Sequence, residues 1–156
     1  HNNALVWTLL TSQLTAQTLA IKNGTYPIIK MEILKYATKH EKDVLAGLRT
    51  DPDWVEFTGT ENIDAYKESL LNTVTYVCYS NNEFCGFVRA IFDKGQAVYV
   101  SELYVVKKWR NKKIGQFLLE QVRKDYSNLK VYALSDEDAY YRKKGYKRIG
   151  SVFEIS

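Results

Sequence analysis

The chain has 156 residues, 46% of them apolar and 26% charged, with a formal net charge of +4 at neutral pH, the profile of one ordinary globular domain with a real core. The mild basic excess gathers at 107–113 and 142–148, so it does not demand nucleic acid as a partner. Two cysteines, Cys78 and Cys85, are too few for a disulfide framework, and the two histidines, His1 and His40, stand far from any Cys, Asp or Glu cluster. Free thiols, a cytoplasmic location and no metal site are the expectation.

Residues 1–30 carry Leu5, Leu9, Leu10, Leu14, Leu19 and Ile21. They read as a helix or an irregular apolar segment, closed by Asn23-Gly24 as a C-cap. The segment lacks the basic start of a signal peptide, and Thr and Gln interrupt it too often for a membrane span. Met31 is the only methionine, and a domain can be read from there to the end. The first thirty residues are then an N-terminal extension, carried over from cloning or accessory to the fold, with His1 as a tag remnant.

Ile33 to Ala37 reads as a strand. Thr38 with Glu41 three positions on forms a capping-box pattern, followed by a helix with Val44, Leu45 and Leu48 on its core face. Asp51-Pro52-Asp53-Trp54 ends it. A second helix, capped by Thr60, carries Ile63, Tyr66, Leu70 and Leu71. Thr75–Tyr79 and Phe84–Phe92 read as two strands joined at Asn81-Asn82, and Asp93-Lys94-Gly95 turns the chain into a third, Ala97–Val106. A helix follows from Ile114 to near Tyr126, then a short strand, Leu129–Leu134. Strand, crossover helix and strand make a right-handed parallel unit. Ser135-Asp136 opens the last helix, Gly145 caps it, and Tyr146–Ile155 alternates as a final strand. The sheet is therefore mixed, antiparallel first and parallel at the end.

The most informative stretch is Ser101–Val122. In its strand, Leu103 and Val105 face one way and Glu102 and Tyr104 the other. Lys107–Lys113 holds five basic residues in seven positions and leads into a helix N-terminus, whose free N–H groups and dipole favour anions. Such a loop suits a ligand with several phosphates.

These residues resemble the acetyl-CoA signature of the GNAT superfamily of N-acetyltransferases: a strand ending in Leu-x-Val, an arginine or glutamine, two residues, glycine, one residue, then glycine or alanine. Leu103, Val105, Arg110 and Gly115 match; Lys113 stands where the middle glycine is expected, a departure because glycine permits positive φ and close backbone approach. Asn111, another frequent glycine position, tolerates the left-handed region. A second hallmark follows in order: Ala139, the aromatic pair Tyr140-Tyr141, Gly145 and Tyr146.

The resemblance covers 33–156. It implies an α/β (α+β) GNAT fold: a mixed, mostly antiparallel central sheet, splayed at the cofactor strand and flanked by about four helices. It implies an acyltransferase that uses acetyl-CoA to acetylate a primary amine of a small molecule or protein by direct attack. The pantetheine arm would pair with the backbone of Tyr104, Val105 and Val106. The pyrophosphate would meet the amides of Arg110, Asn111, Lys112, Lys113, Ile114 and Gly115. Tyr141 matches the general acid, and Glu102 is the candidate base. Lys107 and Lys108 are further candidates for phosphate contact. Asp51, Asp53, Trp54, Glu56 and Glu61 fall in the region that walls the acceptor site in such proteins, and acidic and aromatic groups suit a cationic amine. Small proteins of this kind are often homodimers, which leaves a homodimer open here, and neither nucleic acid nor membrane is expected as partner. The alternative is a CoA-binding sensor or assembly module without efficient transfer, motivated by Lys113.

Overall fold

The computed structural model describes residues 6–7, 17–21 and 29–156. Seven strands form one sheet in sequence order: β1 (Val6–Trp7), β2 (Gln17–Ile21), β3 (Ile29–Lys35), β4 (Val74–Ser80), β5 (Glu83–Asp93), β6 (Ala97–Val105) and β7 (Lys130–Ala133). All neighbours are antiparallel except β6 and β7. Among the described residues four helices flank it: α1 (Glu41–Arg49), α2 (Ile63–Asn72), α3 (Ile114–Asp125) and α4 (Asp138–Lys143). The mixed, mostly antiparallel sheet with four helices is the architecture the sequence predicts.

The turns follow from local chemistry. Asn81 and Asn82 both take positive φ, 48° and 65°, as a two-residue hairpin between right-twisted strands requires. Two side-chain layers cover the sheet. On one face α3 lays Ile114, Phe117, Leu118 and Val122 over Val88, Val98 and Val100. On the other, α1 and α2 bring Val44, Leu48 and Leu70 onto Val77, Phe87 and Tyr104.

Three expectations are corrected. The apolar segment before Met31 is not helical where it is described: β2 pairs with β3 over five residues, from Gln17 opposite Ile33 to Ile21 opposite Ile29. A sheet edge offers unpaired N–H and C=O groups that an extended segment satisfies. Leu5, Leu9, Leu10, Leu14 and the Asn23-Gly24 cap lie outside the described residues. Tyr146–Ile155 forms no strand; Ile149, Val152, Phe153 and Ile155 are all more than two-thirds exposed, and alternation alone makes no strand without a partner edge. The helix caps also differ. Thr38–His40 is a short 3-10 turn in which the His40 Nδ1 accepts the Ala37 N–H at 3.0 Å. The second helix starts at Ile63, three residues beyond Thr60, with no side-chain cap, and Leu71 on it is half exposed.

Two irregularities open the sheet where it matters. Between Arg89 and Ala90 the β5–β6 register jumps, pairing Glu102 and then Val100, so Ser101 bulges. Beyond Val100, whose carbonyl accepts the Leu134 N–H at 2.9 Å, β6 continues to Val105 while β7 has ended. The two parallel strands part, and among the described residues no strand lies beside that edge of β6 from Ser101 to Val105.

Candidate active site

The forked edge of β6 runs into the basic loop and then α3. Asn111 and Lys113 both take left-handed conformations, φ 62° and 64°, and Lys113 is the N-cap of α3. Lys113 therefore adopts the backbone that glycine would supply, and the loop keeps its shape. Alternating left-handed residues turn successive amides inward into an anion-binding concavity, and the first turn of α3 adds its own unpaired N–H groups. Ile114 and Gly115 are buried under this turn. A Cβ on Gly115 would sit 2.7 Å from the Tyr140 hydroxyl. Gly115 is thus the seat of α4 on α3, and it joins the two signature motifs in space.

The five basic side chains divide. Lys108 pairs with Glu83. Lys112 lies over the Trp109 ring, Nζ 4.8 Å from its centroid. Arg110 pairs with Asp51, Nη2 to Oδ2 at 2.6 Å, and its Nε donates to the Val105 carbonyl at 3.0 Å. Lys107 and Lys113 have no ion pair among the described residues. Sequence spacing of 59 positions gives no sign that Arg110 would meet Asp51. The contact ties the cofactor-side loop to the segment expected to wall the acceptor.

Leu103 and Val105 pack on the α3 side, while Glu102 and Tyr104 face α1 and α2, as the alternation predicts. The Val106 amide is used inside the sheet, donating to the Cys85 carbonyl at 2.9 Å. Tyr104 is buried, donates to the Gly47 carbonyl at 3.0 Å and meets Trp54 edge-on, ring centroids 5.4 Å apart.

Glu102 is only 5% exposed. Its Oε1 accepts Arg89 Nη2 at 2.5 Å and Nε at 2.9 Å; its Oε2 accepts the Tyr66 hydroxyl at 2.7 Å. Burial, and then the Glu102 charge, push the Tyr66 phenol far up from its usual range, so it stays a donor. Each carboxylate oxygen has two lone pairs; Oε1 is filled and Oε2 keeps one. Arg89 and Tyr66 were not singled out by sequence reasoning. The signal for Arg89 was its place opposite Glu102 across the hairpin, since opposite charges pair there.

Tyr141 stands on α4, edge-on to Tyr140 with ring centroids 5.1 Å apart. Desolvation raises its phenol to about 12, so it is protonated at neutral pH and able to donate. It borders a cleft of about 900 Å³ that Val100 and Leu134, at the fork of β6 and β7, also line. Of the acidic candidates, Asp51 is buried against Arg110, whereas Glu56 and Glu61 are exposed. The Asp51 Oδ1 accepts the Asp53 N–H at 3.2 Å.

Residues 72–148 match the family model of the acetyltransferase (GNAT) domain. The chain carries a GNAT acetyltransferase domain. Its fold is shared with solved acyltransferase structures of low sequence identity. An aminoglycoside acetyltransferase from an uncultured soil metagenomic sample is 16% identical, with a TM-score of 0.63 over 81% of this chain and 97% of that one. The aminoglycoside N-acetyltransferase AAC(6')-Iy, solved with CoA, is 16% identical, with a TM-score of 0.61 over 81% and 93%. The PaiA N-acetyltransferase of Thermoplasma acidophilum, solved with coenzyme A, is 20% identical, with a TM-score of 0.58 over 75% and 89%. No curated protein sequence matches the chain significantly. Among the described residues of this GNAT acetyltransferase, no helix is long and apolar enough to cross a membrane, and no cluster of His, Cys, Asp or Glu could hold a metal ion.

Proposed function

We propose that the protein transfers the acetyl group of acetyl-CoA to a primary amine of a small molecule or protein by direct attack. The observation that carries this is the fork of β6 and β7 ending at the left-handed loop and α3. The open edge of β6, through Tyr104 and Val105, takes the pantetheine arm as an added strand. The amides from Arg110 to Gly115 take the pyrophosphate, and Lys107 and Lys113 add free charge. CoA in the two solved relatives supports this choice of cosubstrate. The domain is residues 31–156, with 1–30 accessory to it through β2, and its two free thiols suit the cytoplasm.

Transfer needs a neutral amine, a held thioester and a stabilised thiolate. Tyr141 serves as general acid: its proton goes to the departing CoA sulfur as the new amide bond forms and the thioester bond breaks. Glu102 serves as proton acceptor at the one free lone pair of Oε2, directly or through a water. Asp51 attracts the ammonium form of the acceptor once Arg110 turns from it to the pyrophosphate, and Trp54 offers an aromatic face beside it.

The deciding experiment is the melting temperature with and without acetyl-CoA, for the wild type and Tyr141→Phe. A ligand bound only by the native state raises it by mass action. Both proteins should be stabilised, and in a thiol-release assay over a panel of amines Tyr141→Phe should turn over slowly. Absence of any shift at saturating acetyl-CoA sinks the proposal.

A further inference from the structure

Helices α1 and α2 cover only part of their sheet face. Val77, Phe87 and Tyr104 lie under them. Next on the same face come Arg89 and Glu102, paired across β5 and β6, and then Ile91 and Tyr99, paired likewise. Tyr132 of β7 lies beside Tyr99 in the parallel register. The strand neighbours Ala90, Val98, Val100 and Val131 pack on the α3 side, so alternation sends Ile91, Tyr99 and Tyr132 the other way. Among the described residues neither core layer includes these three. Ile91 is 45% exposed, and both tyrosines are half-buried. The two rings stack, with centroids 5.7 Å apart and planes 28° from parallel. This aromatic floor lies roughly 7 Å along the sheet from Glu102, two residues of strand rise on β5. Both rings border the same cleft as Tyr141. Beside Glu102 the lining is aromatic too: Tyr66 meets Phe57 at 5.7 Å between ring centroids, and Phe57 meets Trp54 at 5.4 Å.

We propose that Ile91, Tyr99 and Tyr132 select the acceptor, and that the acceptor is a monoamine carrying an aromatic ring on a short alkyl linker. The inference rests on the acetyl-transfer reading, with Glu102 as proton acceptor. From an amine at the free lone pair of Glu102 Oε2, a short linker carries the ring back along β6 onto the Tyr99–Tyr132 pair. Aromatic rings favour such offset and edge contacts with one another. Charge argues against a polyamine or an aminoglycoside. Arg89 already compensates Glu102. Once Arg110 turns to the pyrophosphate, Asp51 offers one charge for one ammonium. Asp53, Glu56 and Glu61 are exposed, where water and salt screen them. The cleft lining is more basic than acidic, with Arg123, Lys130, Arg142, Lys147 and Arg148 against Asp136 and Asp138. It repels a second ammonium. Hydrogen bonding argues against a sugar, because the polar side chains on this face already serve one another. Ser101 Oγ donates to the Arg89 carbonyl at 3.3 Å, the Thr73 and Thr75 hydroxyls meet at 3.3 Å, and Glu102 holds Arg89 and Tyr66. A polyhydroxylated body would lose water there without gaining partners.

The test is acceptor selectivity in the thiol-release assay with acetyl-CoA, over phenethylamine, tryptamine, propylamine, glucosamine, spermidine and kanamycin. The kcat/KM for phenethylamine and tryptamine should exceed that for propylamine roughly tenfold or more, and should exceed that for the other three. Tyr132→Ala and Tyr99→Ala should each erase most of this preference by raising the arylalkylamine KM. Tyr132→Phe keeps the ring and should keep the preference. A merely structural role would slow all amines together and leave the ratio as it was. Calorimetric titration of the CoA-loaded protein with tryptamine gives a readout that needs no turnover, and Tyr132→Ala should weaken that binding roughly tenfold. A kcat/KM for glucosamine, spermidine or kanamycin equal to or above that for the arylalkylamines overturns the proposal. So does an aromatic preference indifferent to both alanine variants, or tryptamine that fails to bind the CoA-loaded protein. Failure of the acetyl-transfer reading shows itself elsewhere, as a wild type that acetyl-CoA does not stabilise, so the two failures are distinguishable.

Discussion

Asp51→Asn should tighten CoA binding. Arg110 spans two needs: its Nη2 holds Asp51 at 2.6 Å and its Nε occupies the Val105 carbonyl at 3.0 Å. In the proposed binding mode, pantetheine pairing along β6 asks for that carbonyl and the pyrophosphate asks for that guanidinium. Cofactor entry therefore breaks the Asp51 pair. The Asp51 side chain is 11% exposed and that of Arg110 43%, so the pair is part-solvated and costs about 1 kcal/mol to break, at the upper end for exposed pairs. Asparagine has nearly the same shape and keeps an oxygen for the Asp53 N–H, but it removes the charge. The CoA dissociation constant should fall by about fivefold, and by less as salt rises and screens the wild-type pair. The amine KM should rise, because the carboxylate proposed to attract the ammonium is gone. Calorimetric titration with CoA at two ionic strengths measures the first effect. Unchanged or weaker CoA binding by a well-folded Asp51→Asn protein would refute the idea that Arg110 is shared.

Lys113→Gly should raise the melting temperature. It removes left-handed strain of about 1–2 kcal/mol, offset by glycine's backbone entropy of about 0.5–1 kcal/mol, and a net gain near 0.5 kcal/mol is worth about 1–2 °C; a lower melting temperature would contradict it. Gly86→Ala should destabilise the sheet by about 2–3 kcal/mol, since its Cβ would lie 2.3 Å from the Tyr104 carbonyl oxygen, a backbone atom that cannot swing aside. A denaturation midpoint equal to wild type would show that the strands can part freely there. Stability should decline in alkali. Burial raises the Tyr36 and Tyr141 phenols to about 12 from an ordinary value of 10. The unfolded chain therefore releases these protons first. The stabilisation is complete below about pH 10 and is lost as pH climbs towards 12. Urea midpoints taken at about pH 9 and about pH 11, with phenolate absorbance followed alongside, would reveal it; equal midpoints would not be compatible with buried phenols.

What the sequence made legible was local. Asn81-Asn82, Gly95 and Gly145 all take positive φ, and each is of a residue type that marks a turn or cap by its own chemistry. The same holds for the period of two in β6 and the helical spacing of α3. What escaped reading was contact across distance. Glu102 reads as a strand carboxylate, yet its meaning depends on Arg89 and on Tyr66, which lies in another layer. The 17–21 strand was missed because leucines spaced along a polar segment suit either period, and only the β3 edge decides between them. The tail erred the other way: its alternation is genuine, but strand formation belongs to the pair, and no neighbour within the described chain supplies the other half.

The bulge at Ser101 sets the phase of everything downstream on β6. Before it, the even-numbered Val98 and Val100 point into the α3 layer; after it, the odd-numbered Leu103 and Val105 do. One extra residue resets the strand's odd-even count. The half of β6 that holds the core together and the half that serves the fork are, in effect, two words joined by a silent letter. Substitutions within either half are read independently. Loss of Ser101 would leave Val100 and Glu102 adjacent in plain alternation, so every side chain would keep its present face and register; what would go is the local bend and added twist of the bulge, at the place where β6 parts from β7.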